Sequence, residues 1–385
     1  MSLLAELGLR PVINGVGTMT LLGGTTLSAE VLEAMREASQ VYLDMNMLHL
    51  KAGEYIAKLL GVEDAYITSG AGAGIVLAIS ACIALQSPEV IVTLPRTGRR
   101  FKVLVQKRHR NIYDYIVGIA GAELVEVGGP SGTTESELEE AIDGETCAVM
   151  YFASDHQPGT LSLETVVKIA HSRGLPVIVD AAAELPPREN LRRFYELGAD
   201  AVLFSAGKDM GAPNDTGIVI GRRRIVELCR RLGPHNYEKT NGRMRVFIGR
   251  PMKSSKEDIL AVVAALKRYL EMDEEARLRG WEAKTDYMVS ELRRRGVDAV
   301  AKIYPGGGFE HPRPSCIPRV EVRLSSPEMA EEVLKTLRED DPPIQLYSIR
   351  ERIYINPQCL RDGEEKIVAE KLAEKLRLKL NYLSG

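Results

Sequence analysis

The stretch Leu203–Gly221, LFSAGKDMGAPNDTGIVIG, places one lysine among small residues directly after an apolar run. The run AVLFS (201–205) predicts a buried strand, and GIVIG (217–221) predicts a second one. Because only a short loop without a helix joins them, we expect the second strand to run antiparallel to the first. Lys208 is therefore either a solvated loop charge or an amine placed at the end of a core strand to react with a ligand.

Further β-rich runs precede this stretch and are separated mostly by amphipathic segments that end at glycine. These runs are AYIT (65–68), KVLVQ (102–106), ELVEV (123–127), CAVMYF (147–152) and PVIVD (176–180). Near-continuous apolar strands alternating with helices are typical of a parallel sheet that is covered on both faces. The sequence therefore predicts an α/β fold with a mostly parallel sheet of seven strands.

The composition changes beyond residue 250, where RVEVRL and RIYINP predict strands of a small α+β domain. A chain of 385 residues is long enough for one large domain and a smaller one. We expect a large domain over 46–250 and a small C-terminal domain over 251–385. Residues 1–45 are expected to pack on the small domain or on a partner subunit.

Bulk properties restrict the partners of the chain. A net charge of −3 gives no electrostatic reason to expect a nucleic-acid partner. No apolar run approaches the roughly 18 residues that a membrane span requires. The five cysteines are dispersed without CxxC spacing, and the six histidines lack metal-ligand spacing. These features predict a cytoplasmic, soluble protein without a bound metal or a membrane partner.

The segment TSGAGAG (68–74) follows a predicted strand and precedes a helix that we expect to start near Gly74. Free N–H groups at a helix start, with no Cβ to block approach, suit a phosphate group. The spacing fits neither the P-loop nor the dinucleotide fingerprint. Close packing of the helix on the strand is the alternative explanation for these glycines.

Two more strand ends carry groups that suit one cofactor. Asp180 ends an apolar strand and is either a turn carboxylate or the acid that keeps a heteroaromatic nitrogen protonated. Its neighbours Ala181, Ala182 and Ala183 leave room for a flat ring. His109 is either a surface histidine or a ring that stacks on the cofactor. Together with Lys208 and the glycine-rich segment, these residues predict a pyridoxal phosphate site.

The chain resembles the fold-type-I pyridoxal-phosphate superfamily, and within it the selenocysteine-synthase-like group that includes D-glucosaminate-6-phosphate ammonia-lyase. The matching pieces are PVINGVGTMTLLGGTTLS, AYITSGAGAGIVLAI, VDAAAELPPRENL, FSAGKDMGAPNDTGIVIGR and IGRPMKSSKEDI. The resemblance implies that Lys208 is the Schiff-base lysine and that Asp180 is the partner of the pyridine nitrogen. It implies that the phosphate is bound by Ser69, Gly70, Ala71, Gly72 and Ser205, and that His109 and Ala182 lie on the two faces of the ring. It also implies His156 or Gln157 beside the ring hydroxyl, and Thr216 at the phosphate of a partner subunit's cofactor.

Two departures from the group's pattern concern the loop around Lys208. The chain has Ala-Gly-Lys where the group usually has Gly-Gly-Lys, and GAPND where it usually has a Gly-Pro-Gln-type turn. We expect attachment of the cofactor to tolerate both changes. Substrate specificity is expected to depend on them, because this loop lies beside the reacting carbon.

The resemblance and the site chemistry together imply an α,β-elimination on a hydroxylated or sugar-derived amino acid. Arg250 is either the guanidinium that holds a carboxylate or phosphate of this small amino substrate, or a surface ion-pair residue. The resemblance also implies a homodimer or a higher homo-oligomer.

Other activities stay open at this point. A selenocysteine synthase-like transferase acting on seryl-tRNA is one alternative, and an aminotransferase, racemase or aldolase is another, since one cofactor site serves all of these reactions. A non-catalytic binding protein on the same scaffold is an alternative of a different class.

Overall fold

The computed structural model describes residues 2–153, 158–240, 242–303 and 314–383. Its helices are α1 Leu3–Glu6, α2 Ala29–Ser39, α3 Met45–Leu60, α4 Ala71–Gln86, α5 Ile116–Ile119, α6 Glu135–Ala141, α7 Leu163–Ser172, α8 Asn190–Glu196, α9 Arg223–Leu232, α10 Lys256–Glu271, α11 Glu274–Arg294, α12 Pro327–Arg338 and α13 Glu364–Leu383. Its strands are β1 Ile13–Asn14, β2 Asp64–Thr68, β3 Lys102–Gln106, β4 Glu123–Val127, β5 Thr146–Phe152, β6 Val177–Asp180, β7 Ala201–Ser205, β8 Gly217–Gly221, β9 Tyr237–Thr240, β10 Arg243–Val246, β11 Ala299–Lys302, β12 Arg319–Arg323, β13 Ile344–Gln345, β14 Tyr347–Ile349 and β15 Arg352–Ile355.

The chain divides into two compact units. The larger contains Thr26–Met272, and the smaller contains the described residues of Met1–Thr25, Asp273–Pro305 and Ser315–Gly385. Because Ile259, Val262 and Leu266 of α10 lie in the apolar core of the larger unit, this helix belongs there. The division therefore differs from the expected boundary at 250, and α2 likewise joins the larger unit rather than an N-terminal segment.

The larger unit is built on a seven-stranded sheet in the order β2-β8-β7-β6-β5-β3-β4. Strands β7, β6, β5, β3 and β4 pair in parallel, whereas β8 is antiparallel to both β7 and β2. The predicted α/β class, the number of strands and the reversal of the last one are confirmed. All seven predicted strands form, with ends that shift by at most one residue.

Helices cover both faces of this sheet, and β6 shows why. Val177 and Val179 lie in one apolar core, whereas Ile178 lies in the core on the opposite face. Side chains of a strand alternate between faces, so a strand that is apolar at every position needs cover on both sides. Burying one such side chain stabilises the fold by about 1.5–3 kcal/mol.

The smaller unit contains an antiparallel sheet in the order β11-β12-β15-β14 and a parallel pair of β1 with β13. The backbone N–H of Asn356 donates to the carbonyl of Gly15 over 2.8 Å, which ties the start of the chain into this unit. Helix α13 packs its Val368, Leu372 and Leu376 into the same apolar core. The predicted α+β character of this region is confirmed.

Candidate active site

Lys208 lies in the loop between β7 and β8, beyond the carboxyl end of β7. The turn before it is packed tightly, because a Cβ on Gly207 would lie 2.4 Å from the Cα of Asn214 and 2.7 Å from the carbonyl oxygen of Pro213. Only glycine fits there. Ala206 is fully buried, and its carbonyl accepts the N–H of Ala212 over 3.0 Å. The Ala-Gly-Lys variant of the motif therefore forms a closed and well-packed loop.

Asp180 ends β6, the strand next to β7, and lies opposite Leu203 in their register. One of its carboxylate oxygens accepts the N–H of Ala182 over 2.9 Å. Burial raises the pKa of the Asp180 carboxyl, while the bond from Ala182 and the charge of Lys208 lower that pKa. The carboxylate is thus held at a strand tip where a cationic neighbour stabilises it.

The Lys208 amine shows the complementary behaviour. Burial lowers its pKa, and the charges of Asp180 and Glu184 act in the opposite direction. Each of Asp180 and Lys208 acts electrostatically on the other, and both follow neighbouring parallel strands at the same edge of the sheet. A partly desolvated lysine gives up its proton more readily than a surface lysine, which suits nucleophilic and basic roles.

The glycine-rich segment forms the predicted helix N-terminus, but α4 begins at Ala71 rather than near Gly74. Gly70 is its N-cap with φ of 92°, a conformation that favours glycine, and no side chain caps the helix there. Three residues into the helix, Gly74 is needed for packing, because a Cβ on it would lie 2.8 Å from Leu203. Close packing therefore explains Gly74, whereas the phosphate-binding role of Gly70 stays a prediction.

A single row of paired residues links this helix start to the lysine loop. Gly217 of β8 pairs with Ser205 of β7 on one side and with Thr68 of β2 on the other. The Thr68 hydroxyl donates to the carbonyl of Gly70 over 2.9 Å. Ser69, Ala71, Gly72 and Ser205 are all half-buried at this edge. The predicted phosphate residues thus lie together, and N–H groups of the first turn of α4 lack intrahelical acceptors.

The remaining predicted residues differ in their placement. His109 is buried after β3, and its ring meets Tyr151 edge-on at 4.6 Å. Thr216 is buried, and its hydroxyl donates to the carbonyl of Pro213 over 2.6 Å within its own chain. His156 and Gln157 lie outside the described residues. Roles for these four residues stay predictions.

Arg250 lies in the turn after β10 and is exposed. Burial is the main cause that lowers the pKa of His235, and the charges of Arg250 and Lys253 lower it further. The proposed contact of Arg250 with substrate stays a prediction.

Sequence reasoning missed Glu184, Gly207 and Gly217. Glu184 is buried in the turn after β6, and its charge raises the pKa of Lys208. Its signal was an acidic residue four positions after Asp180 in a stretch otherwise of alanine, leucine and proline. Nothing in the local sequence marks the two glycines. Each must be glycine because backbone atoms of other segments lie too close to allow a Cβ.

Among the described residues, no group of three or more histidine, cysteine, aspartate or glutamate side chains is placed to hold a metal ion. In the same part of the chain, no helix combines the length and the apolar character that crossing a bilayer would need.

Comparison with known proteins identifies the family. The model of the aminotransferase class-V family matches residues 27–294. This chain belongs to that family. D-glucosaminate-6-phosphate ammonia lyase of Salmonella typhimurium (strain 14028s / SGSC 2262) is 30% identical over 386 residues, which cover 96% of each protein. A solved structure of D-glucosaminate-6-phosphate ammonia-lyase matches with a TM-score of 0.78 and 28% identity over 97% of this chain and 98% of that one.

Two other relatives carry different names. The 5'-C-glycyluridine monooxygenase-decarboxylase of a Streptomyces species is 35% identical over 71% of this chain and 66% of that protein. The L-seryl-tRNA(Sec) selenium transferase of Aquifex aeolicus (strain VF5) is 25% identical over 96% of this chain and 85% of that protein. The predicted resemblance to fold-type-I enzymes of the selenocysteine-synthase-like group is confirmed, and this chain is an enzyme that depends on pyridoxal phosphate.

The described residues fit this cofactor. The space around the Cβ position of Gly70 is open at the start of α4, and a half-buried carboxylate and a half-buried amine follow the neighbouring strands β6 and β7. Such a donor set matches an anionic phosphate, a carbonyl carbon and a pyridine nitrogen.

Proposed function

We propose that this protein is an ammonia lyase that deaminates a hydroxylated or sugar-derived amino acid by α,β-elimination. The observation that carries this proposal is the pair of Lys208 and Asp180 at the tips of adjacent parallel strands. The end-to-end similarity to D-glucosaminate-6-phosphate ammonia lyase supports the choice of reaction.

Lys208 and Asp180 have different roles in this proposal. When bound, pyridoxal phosphate supplies the electron sink for the carbon that loses its proton. The Asp180 carboxylate would hold a proton on the pyridine nitrogen, and the backbone N–H groups at Gly70 and Ala71 would bind the phosphate. The Nζ of Lys208 would hold the cofactor, and as a free amine it would take the proton from the substrate Cα.

The overall reaction balances without an oxidant. The Cα proton moves to Nζ of Lys208, the Cα–H electrons form a Cα–Cβ double bond, and the Cβ hydroxyl leaves as water with that proton. The released product tautomerises to an imine and takes up one water, which expels ammonia and leaves a 2-oxo-3-deoxy acid. Arg250 is proposed to bind a carboxylate or phosphate of the substrate, because a guanidinium presents paired N–H donors.

The direct test is ammonia release by the cofactor-loaded protein with a panel of hydroxyamino acids and phosphorylated amino-sugar acids, with no 2-oxo acid added. We expect equal amounts of ammonia and 2-oxo acid from at least one of these compounds. Turnover that requires an added 2-oxo acid would instead indicate an aminotransferase. Turnover that consumes dioxygen would indicate chemistry like that named for the Streptomyces relative.

A transferase acting on seryl-tRNA is the second candidate, supported by the similarity to selenium transferases. The net charge of −3 disfavours it, since tRNA binding requires a basic surface. Incubation with seryl-tRNA and a selenium donor separates the two functions, because the lyase predicts no loss of serine from the tRNA.

We also propose that the protein acts as a homodimer or a higher homo-oligomer in the cytoplasm. Exposed apolar side chains on the larger unit support a self-association surface: Tyr42 is fully exposed, and Ile112 is 80% exposed. Cys82, Cys147 and Cys229 are buried free thiols, which fits a reducing compartment. Light scattering coupled to size-exclusion chromatography tests the assembly, and a monomer over the micromolar range would contradict it.

A further inference from the structure

Buried nitrogen atoms without acceptors collect beside the free edge of β2. Within the described chain, His49 Nδ1, His49 Nε2, His235 Nε2 and Arg230 Nε have no hydrogen-bond partner. The His49 side chain is only 2% exposed. Buried polar groups normally find partners, so several in one place call for a bound molecule that supplies acceptors.

The two imidazoles lie against each other. The rings of His49 and His235 are 5.2 Å apart between centroids, and the ring of Tyr66 lies 4.8 Å from that of His49. Helix α3 carries His49 along the open edge of β2, where a Cβ on Gly53 would lie 2.2 Å from the carbonyl oxygen of Ala65. This close approach fixes the position of the buried ring.

The surroundings of the pair are positively charged. The charges of Arg250 and Lys253 lower the pKa of His235, and the charge of Arg230 lowers the pKa of His49. The nearby carboxylate of Asp64 already accepts a hydrogen bond from Arg230 over 2.8 Å. We name His49, Arg230, His235, Arg250 and Lys253 the edge cluster.

Burial is the main reason why the pKa of His49 falls to about 3, and the charges of His235 and Arg230 lower it further. Burial also lowers the pKa of His235, with Arg250 and Lys253 acting in the same direction. Each ring is therefore neutral near pH 7 and offers one N–H donor. An anion would accept from these donors and offset the charges of the arginine and lysine.

We propose that the edge cluster binds the phosphate group of a phosphate monoester, with His235, Arg250 and Lys253 at the anion and His49 behind them. A phosphate dianion carries enough acceptor oxygens and charge for several such donors, which a single water molecule does not. The proposal narrows the role of Arg250 from carboxylate or phosphate to phosphate. It rests on the proposed function only in taking phosphorylated amino-sugar acids as the natural ligands.

The test measures binding of inorganic phosphate to the cofactor-loaded protein, in which the cradle at Gly70 is already filled. Calorimetry and the side-chain NMR signals of the histidines report the titration. We expect saturable binding that shifts the signals of His49 and His235. His235→Gln and Lys253→Met should each weaken binding about tenfold. Because Lys253 is exposed, we expect Lys253→Met to fold like the unaltered protein.

His171→Gln is the matched control, because His171 contacts Asp200 over 2.7 Å outside the edge cluster. It should leave phosphate affinity unchanged. Absence of saturable binding to the unaltered protein would overturn the proposal, as would equal weakening in the control.

A second experiment compares the binding affinity of a phosphorylated amino-sugar acid with that of its unphosphorylated form. The phosphorylated form should bind at least about tenfold more tightly, and this preference should vanish in Lys253→Met. Equal binding of both forms would contradict the site. Phosphate binding without ammonia release would instead leave the site intact and count against the lyase alone.

Discussion

A Cβ atom on Gly217 would lie 2.6 Å from the carbonyl carbon of Gly70, so strand β8 and the start of α4 touch backbone to backbone. This contact holds the helix N-terminus beside the row that joins Thr68, Gly217 and Ser205. The lysine loop follows directly from that row. The distance between the cradle and Lys208 is therefore set by the packing of two glycines.

Gly217→Ala should weaken cofactor binding by about tenfold or more, because overpacking at a backbone contact shifts the segments it touches and costs about 1–3 kcal/mol. Fluorescence titration of the cofactor-free protein measures the affinity. Gly280→Ala on α11 is the control, since that exposed glycine has open space around its Cβ position. We expect this control to keep its affinity and gain about 0.5–1 kcal/mol of stability.

Lys208→Ala should abolish the yellow colour that borohydride bleaches in the loaded protein and reduce ammonia release by at least about 1000-fold. The reason is that the variant loses both the covalent anchor and the base at Nζ. Lys51→Ala is the control, because Lys51 is exposed and pairs with Glu54 over 2.8 Å on the surface. A reducible adduct that persisted in Lys208→Ala would mean that another amine holds the cofactor.

Asp180→Asn should lower the pKa of Lys208, because the charge that raises this pKa is lost while the shape of the side chain is kept. The rate at which an amine reagent modifies Lys208 in the cofactor-free protein, followed against pH, measures the change. Ammonia release by the loaded variant should fall about 100-fold. Glu184→Gln should shift the pKa in the same direction, and an unchanged profile in both variants would contradict the assignment.

Acidification should destabilise the protein through His49. Its folded pKa of about 3 lies below the ordinary value of 6.5, so the unfolded chain binds a proton at pH values where the folded chain does not. Stability is therefore retained above about pH 6.5 and falls below it, by at most about 1.4 kcal/mol per pH unit from this group. Urea unfolding at several pH values measures the slope.

His49→Phe keeps a ring against Tyr66 and removes the titration, so its stability should depend less on pH between about 4 and 6. Identical slopes in the protein and in His49→Phe would show that His49 does not titrate as its burial implies.

The larger sheet was predictable because its strands are apolar at nearly every position and are punctuated by glycine-terminated helices. Lys208 and Asp180 were predictable as site candidates because both follow such strands, and parallel strands present their carboxyl ends at one edge. The sequence predicts a start of α4 near Gly74, later than its start at Ala71, since Ala and Gly residues at 71–74 give no periodic signal. The expected boundary at 250 falls before α10, because the helix pattern does not tell which core its apolar face enters.

By itself, the sequence determined the order of strands and helices, the antiparallel return of β8 and the chemical types of the groups at the strand ends, because these depend on local pattern and short connections. Only the tertiary structure decided that Gly207 and Gly217 must be glycine, that Glu184 acts on Lys208, and that His49 and His235 meet in a positively charged setting. These relations join residues far apart in the chain, and their energies depend on distance and burial, which no local pattern contains.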